Sequence, residues 1–357
     1  MAAPLKQSMG RILALTKAGR LGDATALIQS SLGGSKARAP TNSPRSARAT
    51  IDAPALPRPA NANPEARTTN SEPDQRGAAT VRSFANRHGR LDYRLYVPAA
   101  PVASSPLVVM LHGCTQSAED FARGTQMDAL AEELGFIVAY PEQPRSANQQ
   151  KCWNWFRPGD QTRDAGEPAV IAGIVQQIFA DYGADPSRVY VAGLSAGGAA
   201  AAIMAAGYPD VFAAAGIHSG LACGSARDVP SAFAAMQGRA KKRRGKAAAF
   251  VPVITMHGDR DTTVHPDNST QIHAALAAAP QLDGLSRTQE EGTSPGGRRF
   301  RRVALTDKSG RSLTEDWQIA GAGHAWSGGS PDGSYTDPSG PDASREMLRF
   351  FLQHRLA

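Results

Sequence analysis

The segment Gly193-Leu194-Ser195-Ala196-Gly197 follows a short apolar run, 189–192, and leads straight into a stretch of small residues. A serine at such a strand-to-helix turn is a nucleophile elbow, in which a sharp, strained backbone lifts the hydroxyl clear of its neighbours. The flanking glycines leave room where a β-carbon would meet a neighbouring strand or helix. Gly198, Ala199 and Ala200 keep the following helix slim enough to press on a sheet. The pattern assigns Ser195 as a nucleophile, against the plainer alternative of a tight glycine turn.

A serine hydroxyl is a weak nucleophile at neutral pH and needs a base, which in turn needs a carboxylate to orient it. Downstream, His257-Gly258-Asp259-Arg260-Asp261-Thr262-Thr263-Val264 offers two aspartates. A spacing of three residues after the glycine selects Asp261, leaving Asp259 as a turn residue and runner-up. Further on, Gly321-Ala322-Gly323-His324-Ala325-Trp326 sets a histidine on a glycine-flanked loop, which makes His324 the base. The chain order Ser, Asp, His suits a parallel α/β sheet. Of the other histidines, His112 is expected to brace the loop beside it and His257 to order the acid turn. His218 could line the site or simply pack in the core. His88, His265, His273 and His354 read as turn or surface residues.

Acyl transfer also needs donors for a developing oxyanion. The apolar run Leu107–Leu111 ends in His112-Gly113-Cys114-Thr115-Gln116, and the backbone N–H groups of Cys114 and Ala196 are the expected pair. Trp153, Trp155 and Trp326, with Gln116, are expected to line the substrate side as flat apolar area. The alternative is that the tryptophans pack the loops together. The chemistry needs no metal and no organic cofactor.

The elements that must position these groups alternate. Runs at 81–84 and 91–97 flank the turn signal Asn86-Arg87-His88-Gly89 and read as a hairpin. Buried strands are expected at 107–111, 136–140, 189–192, 212–217, 251–256 and 303–305. Helices are expected from Ser117, as cap, to about 134, then over 169–182, 196–206, 267–278 and 343–354. Residues 298–302 read as the solvent-facing start of a strand. Alternation of this kind implies a mostly parallel sheet covered by helices on both faces, with function at the carboxyl ends of its strands.

The chain of 357 residues allows one or two domains, and 41% apolar content suffices for a core. No stretch reaches 18 apolar residues, so no transmembrane helix is expected. The net charge of +7 is unevenly placed: residues 1–80 carry 11 Lys and Arg against 5 Asp and Glu, and the remainder 28 against 27. A nearly neutral main domain argues against nucleic-acid binding. Three cysteines exclude a disulfide-scaffolded fold. Residues 1–34 lack the continuous apolar core of a Sec signal peptide, which points to a cytoplasmic protein. Their apolar residues recur at helical spacing around a glycine turn, suggesting an amphipathic helical pair that docks on its own domain, a partner or a polymer-granule surface. Residues 35–79, rich in Pro, Ala, Ser and Arg, read as a disordered linker. The catalytic domain is expected over 80–357. The basic run Arg239-Ala240-Lys241-Lys242-Arg243-Arg244-Gly245-Lys246 reads as a solvated insertion or an anionic-surface contact.

Taken together, LHGCTQ at 111–116, YPEQ at 140–143, CWNWF at 152–156, GLSAGG at 193–198, HGDRDTTV at 257–264 and GAGHAWSGG at 321–329 resemble the polyhydroxybutyrate depolymerase family of esterases, within the α/β-hydrolase superfamily. The resemblance implies an α/β-hydrolase fold and a serine carboxylic ester hydrolase acting on short-chain hydroxyalkanoate-type esters or polyesters through Ser195, Asp261 and His324. Related branches act on acetyl or feruloyl esters of plant polysaccharides, and polymer-degrading members are often extracellular. A peptidase or lactone hydrolase would use the same triad, and a granule- or partner-binding protein is the reading from another class. Cys114 and Cys152 could form a disulfide tying the oxyanion loop to the tryptophan loop, or remain as reduced, buried thiols.

Overall fold

The computed structural model describes residues 77–100, 104–240 and 250–356. The expected helical pair over 1–34, nearly all of the linker and most of the basic run lie outside them. The first elements are the antiparallel hairpin β1 (Ala78–Asn86) and β2 (Gly89–Val97), closing on the turn read from the sequence. They are followed by β3 (Leu107–Leu111), helices α1 (Ala118–Thr125) and α2 (Met127–Leu134), β4 (Ile137–Glu142), α3 (Gly166–Tyr182), β5 (Val189–Leu194) and α4 (Ala196–Gly207). Then come β6 (Ala214–His218), α5 (Val229–Met236), β7 (Val253–Gly258), α6 (Asp267–Leu276), β8 (Ser286–Thr293), β9 (Arg299–Thr306), β10 (Ser312–Ile319), the short pair β11 (Trp326–Ser327) and β12 (Thr336–Asp337), and α7 (Ala343–Phe351).

Ten strands form one sheet in the order β1-β2-β4-β3-β5-β6-β7-β10-β9-β8. The centre, from β4 through β3, β5, β6 and β7 to β10, is parallel, and the antiparallel strands lie at both edges. Successive strand side chains face opposite ways. In β3, Leu107, Val109 and Leu111 enter an apolar cluster with α3, α4 and α6, whereas Val108 and Met110 enter a second one with α1, α2 and α7. Both faces are thus covered, which is why β3, β5 and β6 are buried along their whole length.

Two departures from the sequence reading stand out. The helix expected to run unbroken from Ser117 to 134 is two helices, divided at Gln126, whose φ of 54° is left-handed. Ser117 still caps the first, accepting the Asp120 amide at 3.1 Å. Just before the break, Gly124 lies close against Gly333 and Thr336 of the loop that follows His324. The sequence reading also omits β8, whose residues SRTQEEGT are almost all exposed. A solvent-facing edge strand has neither an apolar run nor alternation to announce it.

Candidate active site

β5 ends at Leu194 and α4 begins at Ala196, so Ser195 occupies the turn itself, with φ 59° and ψ −118°. Its amide donates to the His218 carbonyl at 2.9 Å. The glycine requirement is steric: a β-carbon on Gly193 would press on the Gly197 backbone, and one on Gly197 would overlap the Leu111 carbonyl at the end of β3.

β7 ends at Gly258, and the turn that follows carries Asp261. The Asp261 side chain is fully buried. Its Oδ1 accepts the Thr263 and Val264 amides at 2.9 and 2.8 Å, and its Oδ2 accepts His324 Nδ1 at 2.6 Å. His257 adds a second imidazole: Nε2 donates to the Val264 carbonyl at 2.8 Å and stands 3.3 Å from Asp261 Oδ2. Burial raises the Asp261 pKa. The bonds from His257 and His324, the charge at His324 and the Val264 amide outweigh it, leaving the carboxyl well below its ordinary range. Asp259 does something else. Its Oδ1 accepts the Gly321 amide at 2.7 Å, and the Arg260 amide donates to the Ala322 carbonyl at 3.0 Å. The acid turn is thereby stitched to the loop that carries His324.

His218 joins the elbow to that loop. Its carbonyl holds the Ser195 amide, its Nε2 accepts the Ser327 amide at 3.0 Å, and its ring stacks on Trp326 with centroids 5.1 Å apart. Complete burial pushes its pKa down to about 3, with His257 and His324 adding to the shift, so it stays a neutral acceptor. The sequence reading weighs lining the site against core packing for His218. The structure gives it packing that also positions the loop.

The loop after β3 is braced from beneath. His112 Nδ1 donates to the Gly113 carbonyl at 2.7 Å, and its Nε2 accepts the Gln143 amide at 3.1 Å. Burial lowers its pKa to about 4. The Gln143 side chain donates to Glu167, which also accepts the Asn154 amide and side chain. Burial, then the charge of Asp160, raise the Glu167 pKa to about 7 despite those bonds. Among the described residues, neither the Cys114 nor the Ala196 amide donates to a protein acceptor, which leaves both available. The Thr115 amide is taken, donating to the Gln150 carbonyl at 2.6 Å.

Cys114 and Cys152 form a disulfide, the first of the two alternatives open in the sequence. It ties the loop after β3 to the tryptophan loop across 38 residues. Reduction is expected to lower folding stability by about 4 kcal/mol, the loop-closure value for that length, and to lower kcat by loosening the Cys114 amide. Thiol titration of denatured protein should gain two thiols on reduction. The urea midpoint and turnover, with and without dithiothreitol, check the rest, and unchanged values would refute the tethering role.

The expected substrate wall needs correction. Trp153, Trp155 and Trp326 are buried. Trp153 donates its Nε1 to the His112 carbonyl at 3.1 Å and Trp326 donates its to Ser344 at 3.1 Å, so they pack the loops. Gln116 is buried as well. Its Oε1 accepts the Gly113 amide and its Nε2 donates to Asp120 and Ser334, so its amide group is spent on bracing. The aromatic that does face solvent here is Tyr335, 48% exposed. It sits in a Gly-, Ser- and Asp-rich loop with no periodicity to mark it. Among the described residues no cluster of three or more metal-ligating side chains occurs, and no helix is long and apolar enough to cross a membrane.

Residues 91–284 match the family model described as Esterase PHB depolymerase. That span includes Ser195 and Asp261 and stops before His324. The chain is 36% identical over 256 residues to poly(3-hydroxyalkanoate) depolymerase C of Paucimonas lemoignei, covering 68% of this chain and 60% of that protein's length. It is 35% identical over 228 residues to feruloyl esterase B of Thermothelomyces thermophilus, covering 59% and 76%. Among solved structures, acetyl xylan esterase from Aspergillus awamori superposes with a TM-score of 0.62 at 21% identity, over 78% of this chain and all of that one. This last likeness shows the fold, an α/β-hydrolase.

Proposed function

The chain belongs to the esterase PHB depolymerase family, and on that premise we propose that it is a serine carboxylic ester hydrolase acting on short-chain, hydroxyalkanoate-type esters or polyesters. The observation that carries the proposal is the 2.6 Å bond from His324 Nδ1 to the buried Asp261 carboxylate, in a loop pinned to the Ser195 elbow through His218.

In this reading Ser195 Oγ attacks the ester carbonyl while His324 Nε2 takes its proton. The carbonyl oxygen becomes an oxyanion held by the Cys114 and Ala196 amides. Asp261 keeps the proton on Nδ1 and balances the imidazolium charge. Collapse breaks the bond to the alcohol oxygen, which leaves with the proton from His324, and the acyl group stays on Ser195. Water then repeats the sequence: His324 takes its proton, hydroxide adds to the acyl carbon, and Ser195 departs with the proton restored. The acid product leaves and the starting state returns.

The test is to trap that intermediate. Mixing the protein with p-nitrophenyl butyrate should give a burst of p-nitrophenol, and acid-quenched samples should carry the butyryl mass on the peptide containing Ser195. Turnover with acyl mass elsewhere would reject the assignment. The likeness to feruloyl esterase B supports a second substrate reading, an ester on plant polysaccharide. Product analysis on oligomeric 3-hydroxybutyrate, acetylated xylan and feruloylated arabinoxylan side by side separates the two.

A further inference from the structure

The loop after His324 returns in front of the oxyanion loop. Gln116 Nε2 donates to the Ser334 carbonyl at 3.0 Å, and the Ser334 amide and hydroxyl donate to Asp120 at 3.0 and 2.5 Å. Tyr335 comes next and is held at both ends. Its carbonyl accepts the Trp326 amide at 2.7 Å, and its hydroxyl lies 3.2 Å from Thr115 Oγ1. Both residues have left-handed backbones, φ 54° at Tyr335 and 68° at Thr115, which neither side chain favours. Strain of this kind persists where the surroundings impose a side chain's direction. Here the result is an aromatic residue held at both ends and about half exposed to solvent.

Its position gives that ring a use. Thr115 adjoins Cys114, whose amide faces the proposed oxyanion, and Trp326 lies two residues beyond His324. A substrate chain that extends from a scissile carbonyl seated between those groups toward Thr115 would run past Tyr335. We propose that the Tyr335 ring is a binding subsite for the ester unit next to the scissile one, in a substrate built as a chain of esters. This rests on the ester-hydrolase reading above. The exposed part of the ring suits the methyl and methylene groups of such a unit.

The experiment compares kcat/KM for the methyl esters of monomeric and trimeric 3-hydroxybutyrate. In Tyr335→Asn, chosen because asparagine tolerates a left-handed backbone, the trimer-to-monomer ratio should fall roughly tenfold, mainly through KM, as expected for losing one aromatic contact. Tyr335→Phe keeps the ring face and should stay within about twofold of wild type, since only a hydroxyl contact is lost. Tyr335→Ala serves if the asparagine variant does not fold. An unmoved ratio in the truncated variants overturns the subsite, and so does a fall in Tyr335→Phe as deep as in Tyr335→Asn. Running Ser195→Ala on both esters separates the two levels. If the wild type hydrolyses neither ester while still turning over p-nitrophenyl butyrate, the hydroxyalkanoate reading falls and takes the subsite with it. Ser195-dependent hydrolysis with an unmoved ratio overturns the subsite alone.

Discussion

Ser195→Ala is expected to lower kcat toward p-nitrophenyl butyrate about 10⁶-fold, and His324→Ala by a similar factor, with the double variant little worse than either. Each side chain is useless without the other: an alkoxide cannot form without an acceptor for its proton, and an imidazole with no hydroxyl beside it activates nothing. A loss of 10⁶ is about 8 kcal/mol of transition-state stabilisation, far more than any single packing effect at a half-buried turn. The structure limits side effects. Alanine at 195 keeps the elbow, because the bond from its amide to the His218 carbonyl and the clearance at Gly193 and Gly197 are backbone features. Residual activity above the uncatalysed rate should persist in all three variants, because the Cys114 and Ala196 amides remain in place. Single-variant losses that multiply in the double variant would mean that the two residues do not act as a unit.

How much of this was legible in the sequence follows from where the information sits. The elbow was readable because its constraints are local: a nucleophilic turn needs glycines at 193 and 197, and the structure shows what a β-carbon would strike at each. The parallel core was readable for the same reason, since strands buried on both faces carry unbroken apolar runs. Trp153, Trp155 and Trp326 were placed facing the substrate on the general expectation that loop aromatics serve binding. What decides the burial of Trp153 and Trp326 is contact with His112 and Ser344, 41 and 18 residues away in the chain. Gln116 was misplaced likewise, because Ser334 and Asp120 claim its amide. Tyr335 carries no signal of its own, since its place beside the loop after β3 shows only in a contact with Thr115, 220 positions away in the chain. The break at Gln126 belongs with these. The glycine contacts that accompany it come from the loop after His324 and cannot be read from residues 117–134 alone.

The aspartate pair was the one open choice within the triad, and it gives the second large expected effect. Asp261→Asn should lower kcat about 10⁴-fold with the fold intact, whereas Asp259→Asn should cost only a few-fold. An asparagine at 261 can keep its carbonyl oxygen on the Thr263 and Val264 amides. Its NH₂ group then faces His324 Nδ1, a donor where an acceptor stood. The imidazole answers by carrying its proton on Nε2, the nitrogen that must accept from Ser195, so the base is present in the wrong tautomer. Charge is lost as well: the carboxylate is held far below its ordinary pKa by His257, His324 and the Val264 amide despite its burial, so it is ionised at every pH at which such esters are assayed. A depressed carboxyl contributes stability above its unfolded pKa that fades only as pH falls through the folded value, so neutral-pH activity cannot depend on its titration. Asparagine at 259 keeps an oxygen for the Gly321 amide, the bond by which that side chain holds the His324 loop. Steady-state kinetics of the two variants, with thermal unfolding to show that each is folded, decide the matter. A large kcat loss in Asp259→Asn beside a small one in Asp261→Asn would reassign the acid.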